Sequence, residues 1–143
     1  MAQAETKGSG AAGGADARPL SPHLQVYSPL INMVMSILHR ITGAALYFGT
    51  LILAAWLIAA ASGRSNFDLV TGLLHSPPGL LVLFGYTWAL IHHALGGIRH
   101  FIWDTGRGFE LGTVNLLSWA TIIGSVLITA GLWAAMFKLR GVF

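Results

Sequence analysis

Ser36, His39 and Arg40 place a hydroxyl, an imidazole and a permanent cation within five residues, and the chain that follows carries no charge from Ile41 to Ala61. As a helix that uncharged run is ~31 Å long, enough to cross the hydrocarbon core of a bilayer. The three polar side chains therefore fall at the mouth of a membrane helix. Spacings of three, four and seven residues put Ser36, His39/Arg40 and Gly43 on one face. Tyr47, Thr50 and Ala54 continue that stripe, small or polar where the other faces are Leu, Ile, Val and Met. Such a face packs against protein or a ligand rather than lipid. The plainer reading is that His39 and Arg40 only anchor the helix at the headgroups.

A second polar cluster, from His92-His93 through Gly96-Gly97 and Arg99-His100 to Asp104, lies on another apolar stretch. Along a helix, His93 stands ~20 Å from Leu80 and ~9 Å from Arg99, inside the hydrocarbon zone. An imidazole there needs a partner, because an unpaired polar group in hydrocarbon costs several kcal/mol. His93, Gly96/Gly97 and His100 share a face, and the glycines remove bulk one turn from His93. Two readings stay open. A flat macrocycle could lie in that gap as a haem held by His93, with Arg99 and His100 within reach of its propionates. Alternatively, Gly96-Gly97 serves helix packing and His93 hydrogen-bonds a neighbouring helix. His92, about 100° round the helix, faces a neighbour or makes a supporting bond. His39 is expected near the surface and His75 in the opposite loop, so no second histidine is expected at the depth of His93. A bis-histidine haem would then take its other ligand from another chain, which predicts a hetero-oligomer.

The elements that must position these clusters are long apolar helices. The chain has 143 residues, 55% of them hydrophobic and 9% charged, with a mean hydropathy of +0.68. Soluble domains carry about 25% charged residues, so this is an integral membrane protein with no room for a separate soluble catalytic module. Its net charge of +3 comes from single scattered basic residues, which excludes a nucleic-acid patch. The absence of cysteine removes disulfides and the usual ligands of an iron–sulfur cluster.

Residues 1–17 read as a disordered tail with neither the apolar core of a signal peptide nor the Arg-rich pattern of a transit peptide. Arg18 to Pro29 carries three prolines and His23, and is expected to lie extended along the membrane surface or a partner. Residues 18–143 form one domain with spans over about 31–61, 80–103 and 114–137. Ser62–Gly79 is the expected loop between the first two, and Asp104–Gly108 the turn between the last two. In the third span, Ala120/Gly124 and Gly131/Ala135 are small pairs suited to close helix packing. Lys7, Arg18, Arg40, Arg99 and Arg107 fall on one side of the membrane; Arg64, Lys138 and Arg140 fall on the other. The bias places the amino terminus in the cytoplasm.

Arg18-Pro19, then Ser36-x-x-His39-Arg40-x-Thr42, then His93-x-x-x-Gly97-Ile-Arg99-His100-x-x-Trp103-Asp104-x-Gly106 resembles the cytochrome b556 subunit family of succinate dehydrogenase, respiratory complex II. Both signature stretches occur in order, and the three-span pattern matches along residues 18–140. The resemblance implies an all-α membrane protein of three transmembrane helices, half of a heterodimeric helix-bundle anchor. It would pair with a second membrane-anchor subunit and hold the iron–sulfur and flavoprotein subunits at the cytoplasmic face. It implies His93 as an axial ligand of haem b iron, with the other ligand from the second anchor. Ser36 and Arg40 would line a ubiquinone site, and His39 and His100 would lie near the haem propionates. Ser36 can hydrogen-bond a quinone carbonyl there, and Arg40 can stabilise negative charge developing on it. No succinate oxidation is expected of this chain alone. The expected location is a bacterial inner membrane, with the mitochondrial inner membrane as the alternative. Two other functions remain open, a fumarate reductase anchor using menaquinol and a structural anchor without a redox role. The lack of any charge in the third span argues against a transporter.

Overall fold

The computed structural model describes residues 27–141. The 1–17 tail, the Arg18–Pro19 motif, His23 and the last two residues lie outside the described residues. Tyr27–Leu30 have no regular structure, as expected beside Pro29. Four helices follow: α1 (Ile31–Ser62), α2 (Arg64–His75), α3 (Pro77–Asp104) and α4 (Leu111–Leu139). Three of them, α1, α3 and α4, are long and apolar enough to cross a membrane.

The expected loop between the first two spans is mostly helix. Gly63 breaks α1 with a φ of 113°, a conformation open to glycine alone, and α2 starts directly after it. Phe67, Val70, Thr71 and Leu74 turn one half-buried face of α2 inward, while Leu69 and Leu73 point outward. Arg64 pairs with Asp68 one turn on at 3.1 Å. This is an amphipathic helix too short to span, which a hydropathy pattern passes over. The Pro-Pro pair opens α3 rather than closing the loop. Ser76 caps it, its hydroxyl accepting from the Gly79 N–H at 3.3 Å, and the prolines occupy positions whose N–H groups would be unpaired anyway.

The central helix is α3, packed against α1 on one side and α4 on the other. The interior is more polar than apolar. Met35, Ala59, Ala89 and Val114 are its buried hydrophobics, against Thr42, His92, Arg99, Ser118, Thr121, Ser125 and Thr129. The large aliphatic and aromatic side chains point outward. Only in hydrocarbon is that arrangement favourable, because lipid tails are as apolar as Leu and packing prefers small side chains. The α4 stripe against α3 is Val114, Ser118, Thr121, Ser125 and Thr129. Each of its hydroxyls donates to a carbonyl about one turn back, at 2.7–2.9 Å, and so enters the core satisfied. Of the expected small pairs, Gly124 faces Leu95 of α3 and Ala120 lines a small cavity with Leu95 and Ile98, whereas nothing lies within 4 Å of Gly131. On α1 the inward line is Met35, Thr42, Gly49 and Ala59, with Gly49 against the Tyr86 ring. Of the expected stripe, His39 and Gly43 turn toward His93 while Ser36, Arg40, Tyr47 and Thr50 are exposed among the described residues.

Candidate functional site: a histidine cluster between α1 and α3

His39 on α1 and His93 on α3 stack face to face, with ring centroids 3.9 Å apart and planes 6° from parallel. Each ring lies over a glycine of the facing helix. A Cβ on Gly96 would sit 2.5 Å from His39 Nδ1, and one on Gly43 would sit 3.0 Å from His93 Cε1. The gap at Gly96, expected to admit a macrocycle, is therefore taken by the His39 imidazole. Beside Gly97 there is nothing within 4 Å. His39 was expected nearer the surface than His93, and the stack corrects this. Helix α1 starts at Ile31, which sets His39 ~12 Å along its axis, at the level where the antiparallel α3 presents His93.

The tautomer of His93 follows from its partners. Nδ1 lies 3.1 Å from the His39 carbonyl oxygen and 3.3 Å from Thr42 Oγ1. A carbonyl can only accept, so Nδ1 carries the proton. Thr42 already donates to Leu38 O at 2.8 Å and accepts here. The lone pair of His93 is thereby left on Nε2, which makes no hydrogen bond among the described residues. That is the arrangement of a metal-ligating histidine whose other nitrogen is held by a backbone carbonyl. A free Nε2 of this kind could serve as one ligand to a haem iron. The parallel His39 ring covers the face of His93 rather than standing opposite Nε2, so it cannot supply the other ligand. No group of three or more His, Cys, Asp or Glu among the described residues could hold a metal ion.

His100 joins the cluster, tilted against His39 at 5.2 Å and edge-on to Trp103 at 5.3 Å. Arg99 does not join it. Its side chain, 3% exposed, turns to α4, donates from Nη1 to Ser118 Oγ at 3.4 Å and lies 5.0 Å from the Trp103 ring centroid. His92 is also on the α4 side, its Nδ1 3.2 Å from Ser125 Oγ. Ser125 donates to Ile122 O, so it accepts from His92. His92 Nε2 and Arg99 Nε remain buried without a partner among the described residues. The pairing of His92 with a neighbouring helix agrees with its position round α3; the seam of α4 hydroxyls was passed over, and the spacing of Ser118, Thr121, Ser125 and Thr129 at three, four and four residues was the signal that could have found it.

Ser36 and Arg40 are exposed on α1 and make no hydrogen bond among the described residues. Asn32, which sequence reasoning passed over, lies one turn before Ser36, and its Oδ1 is buried without a partner. The i, i+4, i+8 spacing of Asn32, Ser36 and Arg40 was the signal that could have found it.

Residues 15–132 match a family described as the succinate dehydrogenase/fumarate reductase transmembrane subunit. The chain is 43% identical over 116 residues to the succinate dehydrogenase cytochrome b556 subunit of Rickettsia bellii, covering 81% of this chain and 90% of the relative. It is 41% identical over 111 residues to the protein of the same name from Paracoccus denitrificans, covering 78% and 85%. The mitochondrial cytochrome b560 subunit of Sus scrofa succinate dehydrogenase is 36% identical over 119 residues, covering 82% and 70%.

Proposed function

The chain belongs to the succinate dehydrogenase/fumarate reductase transmembrane subunit family, and from that premise we propose that it is a membrane anchor of a succinate:ubiquinone oxidoreductase. In this role it supplies His93 to a haem b and part of a ubiquinone site. The observation that carries the reading is His93 itself, whose Nδ1 is held by the His39 carbonyl while Nε2 is left to a ligand. When bound, haem b supplies a one-electron store near the quinone.

This chain's own residues do the rest. His39 and Thr42 hold the His93 ring and its tautomer. His39 and His100, in ring contact at 5.2 Å, would offer imidazole nitrogens as donors to propionate carboxylates. Arg99, turned to α4, ties the α3–α4 contact. Ser36 hydrogen-bonds a quinone carbonyl from the exposed face of α1. Arg40, always protonated, stabilises negative charge on the quinone oxygen as electrons arrive. A second membrane-anchor subunit would cover this face and supply the haem's other ligand, while the iron–sulfur and flavoprotein subunits would oxidise succinate. The complex sits in a bacterial inner membrane with the chain's amino terminus in the cytoplasm.

Membranes matched for flavin content provide the test. Loss of a charge-assisted hydrogen bond is worth roughly 1.5–3 kcal/mol, or about one to two decades in rate. Arg40→Leu should lose ubiquinone reduction on that scale, and Ser36→Ala, which removes a neutral hydrogen bond of about 0.5–1.5 kcal/mol, by up to about one decade, both keeping succinate–dye activity. His93→Leu should alter or abolish the reduced-minus-oxidised b-type spectrum. A wild-type spectrum in His93→Leu would overturn the haem assignment, and wild-type quinone reduction by Ser36→Ala at limiting ubiquinone would remove Ser36 from the site.

A further inference from the structure

The other end of the bundle carries two apolar grooves that share one cationic mouth. The first, about 490 Å³, lies among α1, α2 and α3, with Ile52, Trp56, Phe67 and Leu74 in its wall. The second, about 330 Å³, lies between α3 and α4 and is lined by Leu80, Leu132, Trp133 and Met136. His75 and Arg140 line both grooves. Arg140 Nη2 lies 3.3 Å from His75 Nε2 and donates to it. Volumes of this size are those of small-molecule sites, ~300–1,000 Å³.

We propose that Arg140 and His75 bind the phosphate of an anionic diacyl phospholipid in the leaflet at this end, with one acyl chain in each groove. Charge decides the headgroup. Asp68 is the carboxylate in α2, and Arg64 already engages it. Arg140 forms no salt bridge among the described residues, where Arg64 pairs with Asp68. The guanidinium retains N–H donors beyond the one given to His75, in the geometry that matches phosphate oxygens. Groove number decides the tail. A single-tailed neutral ligand such as a quinone would fill one groove and leave the cation unanswered, whereas two chains diverging from one charged head fit both. Trp56 and Trp133, one in each groove, are amphipathic rings of the kind found at headgroup level. This site lies at the opposite end from the histidine cluster and does not depend on the function proposed for it.

The complex carrying this chain, placed in phosphatidylcholine nanodiscs, is titrated with phosphatidylglycerol bearing a photoactivatable group on each acyl chain, and labelled peptides are mapped by mass spectrometry. The expected result is saturable labelling of both Phe67–Leu74 and Leu132–Met136, displaced by unlabelled phosphatidylglycerol. Affinity should fall at least ~10-fold in Arg140→Gln, the loss of one charge-assisted bond, and stay within a few-fold of wild type in Arg140→Lys. Equal labelling by photoactivatable phosphatidylcholine, label confined to one groove, displacement by ubiquinone or by inorganic phosphate, or an unchanged affinity in Arg140→Gln would each overturn the proposal.

Discussion

Replacing Gly96 and Gly97 by alanine, one at a time, separates the contact that holds the histidine cluster from the general effect of a methyl group on a helix. At Gly96 the new Cβ would stand 2.5 Å from His39 Nδ1 and 3.1 Å from Cε1. Carbon contacts settle at ≈ 3.5–4.0 Å, so the ring must retreat by roughly 1 Å. His93 lies against that ring at 3.9 Å and His100 at 5.2 Å, so a retreat disturbs the stack and the carbonyl that orients His93. Overpacking of this kind costs about 1–3 kcal/mol. The helix itself gains up to about 1 kcal/mol when glycine becomes alanine. Gly97→Ala receives the same helical gain with nothing within 4 Å to oppose it. The difference between the two variants isolates the clash, and about 1–3 kcal/mol is roughly 5- to 150-fold in an equilibrium constant. Unfolding of the purified chain in detergent, titrated with SDS and followed by tryptophan fluorescence, should put Gly96→Ala below Gly97→Ala by that amount. In the assembled complex, Gly96→Ala should also shift the haem spectrum. Equal midpoints for the two variants, or a lower one for Gly97→Ala, would refute the placement of His39 over Gly96.

Expressed without its partners, the chain should bind haem substoichiometrically, because His93 offers one ligand and the stacked His39 cannot reach the other side; a full complement of low-spin bis-histidine haem in the isolated chain would contradict this. Ser125→Ala should leave His92 with both ring nitrogens unpaired in the interior and lower stability by about 1–3 kcal/mol in the SDS titration. An unchanged midpoint would mean that the His92–Ser125 bond contributes nothing. With the amino terminus in the cytoplasm, a cysteine at Glu110 should be shielded from an impermeant thiol reagent applied to intact cells, and one at Ser65 should react. The reverse pattern would invert the topology.

Much of the frame was legible in the sequence because hydrocarbon imposes a demand that composition alone can answer. The uncharged run after Arg40, the glycines around Arg107 and the apolar third span fix helices whose backbone groups must all be paired internally. The existence and order of α1, α3 and α4 therefore need no knowledge of packing, and the two signature stretches mark Ser36, Arg40 and His93 before any fold is known. Helix α2 was hidden because its twelve residues are too short to span and too polar to register as apolar.

What the tertiary structure alone decided is how side chains on separate helices meet. Depth counted along one helix could not reveal that His39 and His93 share a level, since that depends on how α1 lies against α3. Rotation about the helix axis decided that Arg99 and His92 face the hydroxyl seam of α4 while His93 and His100 face α1. The same rotation left Ser36 and Arg40 outside the chain's own core. Gly96 could be read as a gap from its missing side chain, but the identity of the ring that fills it is set by the close approach of two helices. Pairing across helices is a long-range property, and periodicity along one segment does not contain it.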